Sequence, residues 1–401
     1  MTPLSERALN AAPSPTLAIT AKANAMKADG LDVIGFGAGE PDFDTPEHIK
    51  QAAKDALDKG YTKYTPSAGI PALKKAICEK FARDNDLDYG PANVIVSCGG
   101  KHSLYNVFQA LCDPGDEVII PAPYWVSYPE QAKLAGARPV IIETTDADGF
   151  APTVAQIEQA ITPRTKLFVL NSPSNPTGAL WPEETMRALA DLAVTRDFYV
   201  ISDEIYDRLV YDGRRTVSLA TFGPEVKKRV ITVNGASKTY SMTGWRIGYA
   251  AAETEIVSAM SRIQDSVTSN PTSIAQYAAV AALTGPQDFL QDWLAEFDRR
   301  RHVIVDGLNA VEGITCVTPG GAFYVFPNVS ALRGKRTPGG KNLANADDFA
   351  DYLLADYQVA VVPGGGFGAP DYVRLSYATG MEAIERGVAR IGEAVGALAP
   401  A

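Results

Sequence analysis

Residues 229–250 read RVITVNGASKTYSMTGWRIGYA, and the order of residue types in this stretch governs the reading of the whole chain. Residues 229–233 are β-branched and short, which predicts a strand. The strand runs into the small residues Asn234, Gly235, Ala236 and Ser237, and then into Lys238. Further on, Arg246 sits between Trp245 and Ile247, where a second strand-like run, 245–250, begins. Desolvation disfavours a charged ammonium, so a lysine held among apolar and small groups gives up its proton readily. The free amine can condense with an aldehyde. The guanidinium nearby offers a planar fork that suits a phosphate. Amine and phosphate clamp together point to pyridoxal phosphate, which carries both an aldehyde and a phosphate. A lysine in a loop is ordinarily just solvated, so the reading depends on partners elsewhere in the chain.

Outward from this segment the chain alternates two periods. Residues 93–97 form a short β-branched run, followed by Gly99-Gly100 and then by 102–112, with Leu104, Val107, Phe108 and Leu111 at helical spacing. Asp113-Pro114-Gly115-Asp116 is a turn, and 117–120 a strand. Helices are expected at 124–135, 153–161 and 182–194, and extended segments at 137–143, 166–170 and 198–202. Strand alternating with helix is the pattern of an α/β domain with a mixed, mostly parallel sheet flanked by helices. With 401 residues, a second domain is also expected. Residues 14–45 read as loop-rich, with Pro15 and Pro41 inside the span and Pro13 and Pro46 at its edges. From Asp288 onward a charged helix containing Asp298-Arg299-Arg300-Arg301 precedes short strands such as 322–326. An exposed loop is expected at 333–341, and helices at 346–356 and 381–398. The division is therefore 1–48, an N-terminal segment that joins the small domain; 49–287, the large domain; and 288–401, a smaller α+β domain.

Composition removes several functions. Hydrophobic residues at 46% and charged ones at 21% give a globular balance, and the net charge of -10 argues against nucleic acid or anionic membranes as partners. The N-terminal residues lack a secretory pattern, and no apolar run approaches the ~20 residues of a membrane span. Cys78, Cys98, Cys112 and Cys316 show no CxxC spacing, so free thiols and a cytoplasmic location are expected. His48, His102 and His302 stand far apart, and no metal site is expected.

Ligands of open α/β sheets bind beyond the carboxyl ends of the strands. Gly99-Gly100-Lys101 follows one strand and opens a helix whose free N–H groups suit a phosphate. A plain strand–helix turn would use the same residues. NSPSNPTG, 171–178, follows another strand, and its prolines can aim Asn175 inward. Asp203-Glu204-Ile205-Tyr206 follows a third. Asp203 could cap a helix, or pair with a protonated ring nitrogen. In 371–377, alternation places Tyr372, Arg374 and Ser376 on one face, and Arg374 could clamp a carboxylate or lie on the surface.

AGEPDFDTP (38–46), YTPSAGIPALKKAI (64–77), NSPSNPTG, SDEIY (202–206), GASK (235–238) with GWRIGY (244–249), and VRLSYA (373–378) occur in the order found in class I pyridoxal-phosphate-dependent aminotransferases. Nearly the whole chain resembles that family, and its bacterial aspartate aminotransferase branch most. The resemblance implies a large domain with a mostly parallel sheet, a small domain from both termini, and a homodimer with shared active sites. It implies that Lys238 forms the internal aldimine with pyridoxal 5'-phosphate and shuttles protons. Asp203 would hold the pyridine nitrogen, Tyr206 and Asn175 the phenolic oxygen, and Trp125 the ring face. Gly100, Lys101, Ser237 and Arg246 would surround the phosphate, with Tyr64 entering from the partner subunit. Arg374 would take the substrate α-carboxylate, and Gly39 would close over the substrate. The implied reaction is ping-pong transfer of the amino group of L-aspartate, or a related amino acid, to 2-oxoglutarate.

The chain departs from the family pattern at Gly99, Lys101 and Gly235, where many relatives carry hydroxyl residues. Lys101 resembles a contact to a dicarboxylate's distal group, although His102 beside it is less usual. Ala12 stands where some prephenate-using relatives carry a basic residue. Other readings remain open on the same residues: an aminotransferase for prephenate, aromatic or aliphatic substrates, or a C–S lyase. A pyridoxal-binding regulator would carry a DNA-binding domain ahead of the fold, and with the fold starting near residue 14 none is expected. A dehydrogenase would need GxGxxG between strand and helix, whereas Gly364-Gly365-Gly366-Phe367-Gly368 precedes VRLSYA.

Overall fold

The computed structural model describes residues 4–10 and 12–400. Residues 1–3, 11 and 401, which fall inside the ranges 1–48 and 288–401, lie outside the described residues. A short strand, β1 (Ile34–Gly35), precedes one large sheet. That sheet is built from β2 (Val94–Ser97), β3 (Glu117–Ala122), β4 (Arg138–Glu143), β5 (Thr165–Asn171), β6 (Tyr199–Asp203), β7 (Val230–Gly235) and β8 (Gly248–Ala251). The strands lie in the order β2-β8-β7-β6-β5-β3-β4. Only the two pairings of β8 are antiparallel; the rest are parallel.

Period-two alternation sends apolar side chains of the buried strands to both faces of the sheet. Val94, Val96, Phe168, Leu170, Val200 and Val230 point into one buried cluster, and Ile95, Leu167, Val169, Ile201, Ile231 and Val233 into another across the sheet. Both faces of these buried strands are covered by helices, so they need no polar side, whereas the edge strand β4 leaves Arg138, Ile141 and Glu143 exposed. Each such buried side chain contributes roughly 1.5–3 kcal/mol relative to exposure.

A third cluster lies beyond the sheet edge. It gathers the helices Phe289–Asn309, Ala346–Tyr357 and Met381–Gly396 around β9 (Tyr324–Val325), β10 (Val359–Ala360) and β12 (Val373–Ser376), with β11 (Val362–Pro363) alongside β12. β12 lies between β11 and β9, and β1 pairs with β10. Tyr206, Leu209 and Tyr211, just past β6, are packed in this same cluster. The segment after Asp203 is therefore held from both sides.

Three expectations need correction. The span 14–45 contains a helix, Pro15–Ala28, because Ser14 accepts a hydrogen bond from the Leu17 amide and Pro15 occupies the first turn, where no N–H is needed. The second strand of the opening segment starts at Gly248, not Trp245. Trp245 and Arg246 belong to the turn that reverses the chain between antiparallel β7 and β8, and Arg246 takes a left-handed φ of 58°. Residues 123–126 after β3 are an irregular bend and turn, so the helix is Ser127–Leu134 rather than 124–135. All four cysteines are unpaired, and among the described residues no helix is long and apolar enough to cross a membrane.

Candidate active site

Parallel strands end on one edge of their sheet, so Asn171 of β5, Asp203 of β6 and the loop after Gly235 of β7 are brought together by topology alone. They border a cavity of about 430 Å³ between this edge and the third cluster. Gly39, Gly100, Lys101, Trp125, Asn175, Asp203, Tyr206, Ser237, Lys238, Arg246 and Arg374 all line it. Tyr64 does not; it is 93% exposed on the outer surface.

Lys238 borders the cavity on one side and protein on the others, and its ammonium donates to the Gly39 carbonyl oxygen. Burial lowers its pKa to about 8, with Arg374 and Arg246 adding to the effect and Glu40 and Asp203 opposing it. Burial raises Asp203 to about 6, against hydrogen bonds from Tyr128 and the Ile205 amide and the charge of Lys238. The Tyr128 hydroxyl donates to Asp203 Oδ2 at 2.7 Å, and the Ile205 amide to Oδ1 at 3.2 Å. A cation placed beside this carboxylate would restore its charge.

Arg374 is 2% exposed. Its Nη1 donates to Asn175 Oδ1 at 3.0 Å and its Nη2 to the Gly37 carbonyl at 2.9 Å, while its buried Nε has no partner among the described residues. Its guanidinium lies 4.7 Å from the Tyr324 ring centre and 5.1 Å from that of Phe367. A buried cation held by neutral acceptors and aromatic faces is suited to an anionic ligand. Asn175 is aimed inward because its own amide donates to Asn171 Oδ1 at 2.9 Å.

At the other end of the cavity the helix Gly100–Leu111 presents its free N-terminal amides. Gly99 has a φ of 90°, and a Cβ there would stand 2.4 Å from Arg246 Nη2. A Cβ on Gly248 would stand 2.1 Å from the Gly100 amide nitrogen. Glycine at both places lets the guanidinium and the helix start share one cradle. Arg246 Nη1 is steadied by the Thr243 carbonyl at 2.8 Å. Lys101 lies 4.9 Å from the Trp125 ring centre, and burial, with Arg246, lowers its pKa. Its side chain nonetheless reaches solvent through the cavity mouth.

Sequence reasoning missed Tyr128, Tyr324, Asn171 and Glu40, all in this lining. Tyr128 follows Trp125 by one helical turn, a detectable spacing. Tyr324 sits in a two-residue strand and carries no such signal.

A desolvated amine, a buried carboxylate opposite it and a cradle of amides with a guanidinium fit a group that has an aldehyde, a basic aromatic nitrogen and a phosphate. Residues 31–391 match the family model described as aminotransferase class I and II. Over 391 residues the chain is 54% identical to an aspartate aminotransferase of Geobacillus stearothermophilus, covering 97% of this chain and 98% of that protein. It is 51% identical to an aspartate/prephenate aminotransferase of Cereibacter sphaeroides, covering 97% of each. The crystal structure of the aspartate aminotransferase from Rhizobium meliloti superposes with a TM-score of 0.96 at 47% identity, covering 100% of both chains. That of Thermus thermophilus with maleate gives 0.92 at 45% identity, covering 98% of this chain and 100% of that one.

Proposed function

Because the chain belongs to the class I and II aminotransferase family, we infer that it transfers the amino group of L-aspartate to 2-oxoglutarate in two half-reactions at the cavity beside Lys238. The family works with pyridoxal 5'-phosphate on amino and 2-oxo acids. The observation that carries the reading is the convergence of the Lys238 amine, the Asp203 carboxylate and the Arg374 guanidinium on one cavity. When bound, pyridoxal phosphate supplies an electron sink for the pair left at the substrate α-carbon.

Lys238, Asp203, Tyr206, Asn175 and Trp125 would hold the cofactor's ring, and Gly100, Ser237 and Arg246 its phosphate. Lys238, with its pKa near 8, is partly neutral at physiological pH and can take the α-proton and return it. Arg374 receives the α-carboxylate through a fork already oriented by Asn175 and the Gly37 carbonyl. Lys101, across the cavity and without a carboxylate partner among the described residues, would face a second carboxylate, and Gly39 would lie over the bound substrate. The Thermus thermophilus relative was solved with maleate, a dicarboxylate, which supports a substrate of that kind. The Cereibacter sphaeroides relative supports prephenate as a second acceptor to test.

The exposure of Tyr64, which is outside the lining of its own cavity, supports a homodimer in which Tyr64 completes the partner's site. The separate buried clusters support the division into 1–48, 49–287 and 288–401. Unpaired cysteines support a cytoplasmic location.

The test is covalent capture. Borohydride added to the cofactor-bound protein should fix the label on the peptide containing Lys238, and Lys238→Ala should lose turnover by several powers of ten. Label on another lysine would refute the assignment. A panel of amino acids with 2-oxoglutarate or prephenate, read by product, would show whether aspartate is preferred.

A further inference from the structure

Tyr324 is fully buried, lines the cavity, and belongs to no motif of the sequence. Its position follows from register. In the antiparallel pair of β9 and β12, Tyr324 stands opposite Ser376. Arg374 is two residues along β12 and so shares its face, within diagonal reach of a long side chain. That is why the Tyr324 ring comes to support the Arg374 guanidinium at 4.7 Å. The other end of the side chain reaches elsewhere: Tyr324 Oη lies 2.9 Å from Tyr206 Oη. The Gly39 backbone closes over the same hydroxyl, since a Cβ on Gly39 would come within 3.1 Å of it.

Counting hydrogens decides what this pair can do. Two neutral phenols share one hydrogen bond, so one hydroxyl hydrogen is left over. Among the described residues neither oxygen has a second partner. Burial holds both hydroxyls in the neutral form. If Tyr324 donates to Tyr206, the spare hydrogen belongs to Tyr206 and faces the cavity, and the two bonds reinforce each other.

We propose that Tyr324 is a positioning residue with two separable parts, its hydroxyl directing the Tyr206 proton toward the cofactor's ring oxygen and its ring supporting Arg374 for the substrate carboxylate. The proposal rests on the aminotransferase reading of this cavity. It deepens that reading by joining the cofactor contact to the substrate contact through one side chain.

Tyr324→Phe removes the hydroxyl and keeps the ring, whereas Tyr324→Leu removes both. The first readout is the pH midpoint of the visible absorbance of the cofactor-bound protein, which needs no turnover. Weakening donation to an anionic ring oxygen makes the chromophore hold its proton more tightly, so Tyr324→Phe should raise the midpoint by about half to one pH unit. Tyr206→Phe should raise it at least as much, and adding Tyr324→Phe to that variant should change it no further. The second readout is KM for the amino acid, which Tyr324→Leu should raise about two- to thirtyfold and Tyr324→Phe much less. If Tyr206→Phe moves the midpoint and Tyr324→Phe does not, or if their shifts add, the hydroxyl role is overturned. If both substitutions at Tyr324 raise KM equally, the ring role is overturned. Failure to form a visible band, or an unmoved midpoint in Tyr206→Phe, would instead overturn the cavity reading, and the proposal with it.

Discussion

Arg374 and Lys101 carry the same charge into one cavity, but their surroundings give them different work. Arg374 is buried, its fork fixed by Asn175 and Gly37, so any substrate with an α-carboxylate must meet it. Lys101 has a single long stem beside Trp125 and, among the described residues, no fixed acceptor for its ammonium, so it matters only when a second anion is present. A charge-assisted hydrogen bond is worth about 1.5–3 kcal/mol, roughly ten- to a hundredfold in kcat/KM. Arg374→Ala should therefore damage aspartate, glutamate and phenylalanine alike. Lys101→Ala should damage aspartate and glutamate while sparing phenylalanine. Steady-state kinetics with the three donors checks this, and equal losses for Lys101→Ala would assign that lysine to the cofactor phosphate instead.

The turn after β6 shows how one element both supports and constrains the site. Asp203 and Tyr206 face the cavity, and Glu204 and Asp207 face away into a buried polar cluster. Lys80 pairs with Asp207, and Asn85 donates to Glu204 at 3.1 Å and to Asp207 at 3.2 Å. Ser202 and Ser218 also donate to the two oxygens of Glu204. Burial still dominates and raises Glu204 to about 7, with Asp207 adding to the rise and the serines and Lys80 opposing it. The folded protein then binds more protons at this group than the unfolded chain, whose carboxyl titrates near 4.5. Its contribution is complete below about pH 4.5 and is lost as the pH rises through about 7. Glu204→Gln removes the titration, so its stability relative to wild type should improve between pH 5 and pH 8 by on the order of 1–3 kcal/mol. Asp203 and Lys238 titrate in both proteins and cancel in the comparison. Denaturant midpoints at the two pH values provide the measurement, and identical pH slopes would show that Glu204 is not buried as a proton-binding group.

At the scale of the whole molecule, the exposed Tyr64 is the residue that one chain leaves unexplained. If it completes a partner's site, two inactive variants should rescue each other. A hybrid of Lys238→Ala with Tyr64→Ala subunits contains one site with an intact Lys238 and an intact Tyr64, and another with neither. Mixing and refolding the two variants should therefore restore activity up to about a quarter of wild type, by the statistics of pairing and one good site per hybrid. No recovery above the stronger parent would place Tyr64 in its own subunit's site or outside any site. The mode of closure also matters within the chain. Arg300, buried in the helix Phe289–Asn309, pairs with Asp42 at 2.7 Å. Thr45 donates to the Ser241 carbonyl at 2.6 Å. The segment that carries Gly39 is thereby fastened to both the third cluster and the Lys238 loop.

Local sequence already encodes the strand–helix alternation, the mostly parallel sheet and the placement of Asp203, Lys238 and Asn175 at or just past strand ends. These depend on periodicity and turn chemistry, which neighbouring residues encode. Proline misled at Pro15, because the same ring that breaks a helix interior starts a helix at its first turn. Tertiary structure alone decided which groups meet. The Tyr128–Asp203 bond spans 75 positions, the Tyr206–Tyr324 bond 118 and the Arg374–Asn175 bond 199. Arg300 and Arg301 likewise read as part of a charged helix yet are buried against Asp42 and Asp212. No local pattern records such pairings, since they exist only once separate layers have closed on one another and removed water between them.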